Sequence, residues 1–125
     1  MTRINVVPPS ELHTKHLVAE YRELPRVFKL VREAQSRGEL PNDPRNPTKY
    51  TLGAGHVRFF YDKLSYLFKR QVSICGEMER RGITVNYYPS PDLLDGIRKM
   101  WQGDYEPTPG ALYLNRERIK DRMPK

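Results

Sequence analysis

The chain has 125 residues, a formal net charge of +7 and a sequence pI near 9.7. That length fits one domain able to bury about two-thirds of its unfolded surface. The cationic surplus favours a polyanionic partner, nucleic acid first and an anionic membrane surface second. One cysteine, Cys75, excludes an internal disulfide and a multi-cysteine zinc site. No apolar run approaches the roughly 20 residues that span a bilayer, and Met1-Thr2-Arg3-Ile4-Asn5 lacks the apolar core of a signal peptide. A monomer inside the cell, with no membrane partner, is expected.

The first thirteen residues read as extended, because Pro8-Pro9 blocks helix, and Ser10 or Thr14 is a candidate helix cap. A first helix is predicted from Thr14 to Gln35, with Gly38 as its stop. Leu17, Tyr21, Leu24, Phe28 and Val31 recur at steps of four and three and form one apolar stripe. Lys15, Arg22, Arg26 and Lys29 fall on the opposite face. His16 and Glu23 align along one flank, roughly 10 Å apart at the helical rise. Pro25 interrupts this pattern beside its charges and predicts a kink.

Residues 37 to 51, rich in proline, asparagine and glycine, read as loop. A second helical pattern opens at Leu52-Gly53-Ala54-Gly55-His56, places Val57, Phe60, Leu64, Leu67, Ile74 and Met78 on one stripe, and stops at Gly82. Gln71 falls on that apolar stripe. A buried amide needs a partner, so Gln71 either bonds nearby backbone or lines a pocket. Ile83 to Pro89 is a candidate strand with no evident mate, and Pro91 to Trp101 a candidate short helix. A last helix is predicted from Ala111 to Arg122, with Leu112 and Ile119 inward and Arg118 and Arg122 along one side. The derived architecture is all-α: a single domain, residues 1–125, of three main helices joined by long proline-rich loops.

The chemistry is sparse. His13, His16 and His56 form no ligand motif, and no cofactor or phosphate loop is present, so no metal or cofactor is expected. Gly53-Ala54-Gly55 is too short for a dinucleotide fingerprint, although glycines ahead of a helix let amides approach a phosphate. What stands out is Glu23 among Arg22, Arg26 and His16. Such a carboxylate stays ionised and is suited to act as a base or to stabilise a cation. The alternative is a surface salt bridge worth about 0–1 kcal/mol.

Long blocks of this chain closely resemble the pyrimidine-dimer DNA glycosylase family. They are Thr2-Arg3-Ile4-Asn5, Ser10-Glu11-Leu12, His16 through Phe28, Leu52 through Val57, Phe59 through Leu64, Lys69-Arg70-Gln71 and Gly103-Asp104-Tyr105. The resemblance is densest from residue 2 to 82. It implies an all-α enzyme that works without metal on double-stranded DNA containing cyclobutane pyrimidine dimers or abasic sites. The implied nucleophile is the α-amine of Thr2, exposed when Met1 is removed, and the implied catalytic carboxylate is Glu23. Arg3, His16, Arg22, Arg26 and Gln71 match residues that hold the DNA or the active centre. Lys15 adds charge to that face, Arg118 matches a phosphate-binding arginine, and Arg122 stands where a relative has lysine.

The implied chemistry is an imine with the sugar C1′, loss of the base, then strand nicking by β-elimination. An α-amine suits that task. Its reference pKa is about 7.7–8.0, so roughly a third is neutral near pH 7.4, against roughly a thousandth of lysine side chains. Trp101 and the Tyr87-Tyr88 pair are candidates for stacking on bases, with core or loop packing as the alternative. Two other functions remain open from the sequence: a lyase or glycosylase for abasic sites or another damaged base, and a non-catalytic DNA-binding module.

Overall fold

The computed structural model describes residues 3–123. Its first helix, α1 (Thr14–Glu23), is capped by neither Ser10 nor Thr14. His13 is extended and its Nδ1 accepts the Lys15 amide at 3.1 Å. α2 (Arg26–Ser36) comes after only Leu24 and Pro25. The predicted 14–35 helix is therefore two helices, divided where the ring of Pro25 leaves no amide to donate. The break is tight: the Leu24 amide still reaches Glu20 O at 2.9 Å, and the Phe28 amide reaches Pro25 O at 3.3 Å. The apolar stripe does what its spacing predicts. Leu17, Tyr21, Leu24, Phe28 and Val31 are all buried, while Lys15, Arg22, Arg26 and Lys29 are exposed.

The second predicted helix starts at Leu64, not near Leu52. Gly53 and Gly55 adopt φ of +77° and +83°, which side-chain-bearing residues avoid. A Cβ on Gly55 would stand 2.7 Å from Pro47 Cγ. These glycines make a turn, closed by the His56 amide on Gly53 O at 3.1 Å, and a single 3-10 turn (Arg58–Phe60) carries the chain onward. α3 (Leu64–Arg80) is the long central helix; Leu64, Leu67, Ile74 and Met78 are buried, and Gly82 ends it at φ +76°.

The candidate strand at 83–89 is not one. Among the described residues the structure has no strand, only an isolated bridge between Lys63 and Gln102. The Tyr21 hydroxyl instead accepts the Asn86 and Tyr87 amides at 3.0 and 3.2 Å, and the Tyr21 and Tyr87 rings stack at 4.7 Å. The predicted 91–101 helix resolves into two 3-10 turns, Pro91–Leu94 and Lys99–Trp101, and Trp101 is wholly buried. α4 (Pro109–Arg122) begins slightly earlier than predicted because Pro109 suits the first turn and the Thr108 hydroxyl accepts the Ala111 amide at 3.1 Å.

One ion pair lies inside this all-α fold. Glu20 of α1 and Arg70 of α3 are both almost fully buried. Arg70 donates through Nε to Glu20 Oε2 at 2.5 Å, through Nη2 to Oε1 at 3.1 Å, and through Nη1 to the Val7 carbonyl at 2.7 Å. Removing one member strands a charge away from water. Arg70→Leu is expected to lower unfolding free energy by about 3–5 kcal/mol. Urea denaturation monitored by circular dichroism measures this; a loss under about 1 kcal/mol contradicts it.

Candidate functional site

The N-terminal segment, α1 and α4 meet around an open cavity of about 500 Å³. α1 contributes Lys15, His16, Glu20 and Glu23, and α4 contributes Arg118 and Arg122. Arg3 and Asn5 line it from the N-terminal segment. The one-flank alignment of His16 and Glu23 thus becomes one wall. Arg118 and Arg122, one turn apart, become the facing wall.

The cations here repel one another. The Arg3 guanidinium is held below its ordinary value, first by burial and then by repulsion from Arg118 and, more weakly, Arg122. A cluster that penalises its own positive charge is chemically suited to an anion. Glu23 is half-buried, and among the described residues no ion pair holds it. Its Oε2 is buried without a hydrogen-bond partner. The surface-salt-bridge alternative for Glu23 is therefore not what the structure shows. Glu23 lines this cationic cavity, and a carboxylate there can take a proton or stabilise positive charge developing on a ligand.

Not every predicted site residue meets there. Thr2 lies outside the described residues. Arg22 and Arg26 are exposed on either side of the α1–α2 break and do not line the cavity. Gln71 faces a second cavity of about 200 Å³, together with Pro25, Arg32, Tyr87, Tyr88 and Pro89. Both readings of Gln71 hold: Nε2 donates to Tyr21 O at 3.0 Å, and Oε1 is buried without a partner beside a pocket. Tyr87 and Tyr88 are half-exposed, whereas Trp101, buried in the core, is unable to stack on a ligand.

Sequence reasoning missed the residues behind the cavity. Ile4 to Val7 are buried yet neither helical nor paired in a strand. His56 Nε2 accepts the Ile4 amide at 2.9 Å, and its Nδ1 contacts Thr51 O at 2.7 Å. Burial, chiefly, pushes the His56 imidazole below its ordinary pKa. A neutral ring protonated on Nδ1 fits both contacts. The Gly53–Gly55 turn thus aims a histidine at the N-terminal segment. A buried polar residue on α4, Asn115, holds the same segment. Asparagine in an exposed-looking helix gives no local signal of this, although polar residues at core positions always require a named partner.

A family model described as pyrimidine dimer DNA glycosylase matches residues 1–88. The match includes Arg3, Lys15, His16, Glu23 and Gln71, and ends before α4.

The His56 shift has a consequence for acid stability. Its folded-state pKa lies below the unfolded value of about 6.5. The unfolded chain then binds the proton more readily, so this stability is complete above about pH 6.5 and lost as pH falls. The carboxylates held low by arginine partners, such as Glu77 at about 2, titrate in a more acidic window. His56→Phe is expected to be less stable at pH 7 and to show a flatter decline between pH 6.5 and 5. Chemical denaturation at several pH values checks both; an unchanged slope contradicts the assignment.

Proposed function

The chain belongs to the pyrimidine dimer DNA glycosylase family, a family of DNA repair enzymes, and from that premise we propose that it removes dimer bases through an imine and then nicks the strand. The observation that carries the reading is the convergence of Glu23, with its unpartnered oxygen, and the Arg3–Arg118–Arg122 cluster on one cavity. Arg3 lines that cavity.

The neutral α-amine of Thr2 attacks the sugar C1′. The C1′–N bond breaks, its electron pair leaves with the pyrimidine, and that base takes up a proton. Positive charge develops on the sugar, and Glu23 stabilises it across a short distance shielded from water. The nitrogen now bonded to C1′ loses one proton, its lone pair opens the ring C–O bond, the ring oxygen takes up a proton, and the protonated imine forms. A base removes a proton from C2′, the C3′–O bond breaks, and the phosphate departs as the leaving group. Glu23 is suited to that proton transfer as well. Arg3, Lys15, Arg118 and Arg122 neutralise phosphates and hold the backbone against the cavity.

Reaching C1′ inside a duplex needs an opened helix. The second cavity suits an extrahelical base. Tyr87, Tyr88, Pro25 and Pro89 offer flat apolar walls, and Gln71 lines the same cavity. Glu23 of the first cavity and Pro25 of the second stand on either side of Leu24 at the α1–α2 break.

Glu23→Gln is expected to reduce strand cutting on ultraviolet-irradiated duplex by at least about 100-fold, with binding to the same duplex retained. Full cutting by that variant removes Glu23 from the mechanism. Borohydride reduction with protein lacking Met1 is expected to give a covalent protein–DNA adduct, lost when the terminal amine is blocked. An adduct on abasic but not dimer-containing DNA reduces the activity to a lyase. Arg118→Ala is expected to lower the slope of log affinity against log salt by about 1; an unchanged slope means that Arg118 touches no phosphate.

A further inference from the structure

The four residues that lead into the cavity have an unusual attachment. Asn115 Oδ1 accepts two successive amides, Val6 at 2.6 Å and Val7 at 3.1 Å. Its Nδ2 donates to Asn5 Oδ1 at 2.8 Å, and Asn5 Nδ2 passes the connection to Glu20 at 2.7 Å. From the other side His56 accepts the Ile4 amide at 2.9 Å, and the Tyr50 hydroxyl donates to the Ile4 carbonyl at 3.3 Å. His56 and Asn115 are 1% and 0% exposed, so water does not compete for these bonds.

α4 is held elsewhere by half-buried Leu112 and Ile119 packed against the core and by the Arg116–Glu11 ion pair at 2.9 Å. Its buried residues are Ala111 and Asn115, while Tyr113 and Leu114 face outward. Asn115, Arg118 and Arg122 are spaced three and four apart, which places them on one helical face. The grip on the N-terminal backbone and the cationic wall of the cavity therefore belong to one rigid element.

We propose that Asn115 and His56 are positioning residues for the N-terminal amine, because they fix residues 4–7, the backbone that leads to Arg3 on the cavity, and that α4 ties this placement to phosphate binding. The inference rests on the amine being the nucleophile. An imine-forming step is sensitive to placement, and about 1 Å of misalignment costs up to roughly 100-fold in rate. Neither side chain touches DNA in this scheme; each acts through the peptide it holds.

The test uses the full chain with Met1 removed and duplex DNA carrying one abasic site. Borohydride trapping is run at single turnover and saturating protein, and dissociation constants are measured separately. Asn115→Ala removes one grip. His56→Phe removes the other while keeping an aromatic ring against Tyr50 and Phe60, its neighbours at 5.5 and 5.8 Å. Each variant is expected to trap with a rate constant reduced roughly 10- to 100-fold and a dissociation constant within about twofold of the parent. A first-order rate constant does not depend on the fraction of folded protein, so simple destabilisation leaves it unmoved. Should one variant fail to fold, the other carries the test. Parental rate constants in a folded variant overturn the proposal. So does a loss of affinity that alone accounts for the slower reaction. An unmodified chain that forms no adduct at all removes the amine as nucleophile, and this proposal falls with it.

Discussion

Residues 4 to 7 constrain the molecule more than any helix does. They are buried, and they form neither helix nor sheet among the described residues. Buried amides and carbonyls cost free energy unless they are partnered. The partners come from across the fold: His56 from the loop before α3, Asn115 from α4, Arg70 from α3 and Tyr50 from the same loop as His56. Each reaches one short peptide, so the peptide sets how those elements sit. The Glu20–Arg70 pair belongs to the same logic. Arg70 is placed to serve the Val7 carbonyl, and Glu20 is what makes a guanidinium tolerable there.

The cavity lies where this polar scaffold meets the surface. Burial of Arg3 and repulsion from Arg118 disfavour its own charge, and an anion in the cavity would offset the repulsion. The cations line the cavity beside Glu23, whose Oε2 has no hydrogen-bond partner among the described residues. Pairing Glu23 with Arg26, the bland sequence alternative, would have committed both.

Local periodicity made much of this legible. The stripe from Leu17 to Val31 needed only helical spacing, and the position of Pro25 located the break. The flank of His16 and Glu23, and the wall of Arg118 and Arg122, came from the same arithmetic. Contacts over long separations were illegible. Glu20 meets Arg70 across 50 positions, and Asn115 meets Val6 across 109; no periodicity encodes such pairs. The late start of α3 escaped for another reason. Apolar spacing at Val57 and Phe60 satisfies a helix as well as it satisfies tight turns, and the left-handed glycines decided the matter. The extended 83–89 segment imitated a strand in composition, yet its amides at 86 and 87 end on one tyrosine hydroxyl.

The anchoring of residues 4 to 7 also bears on how the chain tolerates being lengthened. With Ile4 and Val7 fully enclosed and Asn5 and Val6 nearly so, this stretch of backbone has no slack to swing aside. One residue added between Ile4 and Val7 shifts the amides after it off their partners on Asn115.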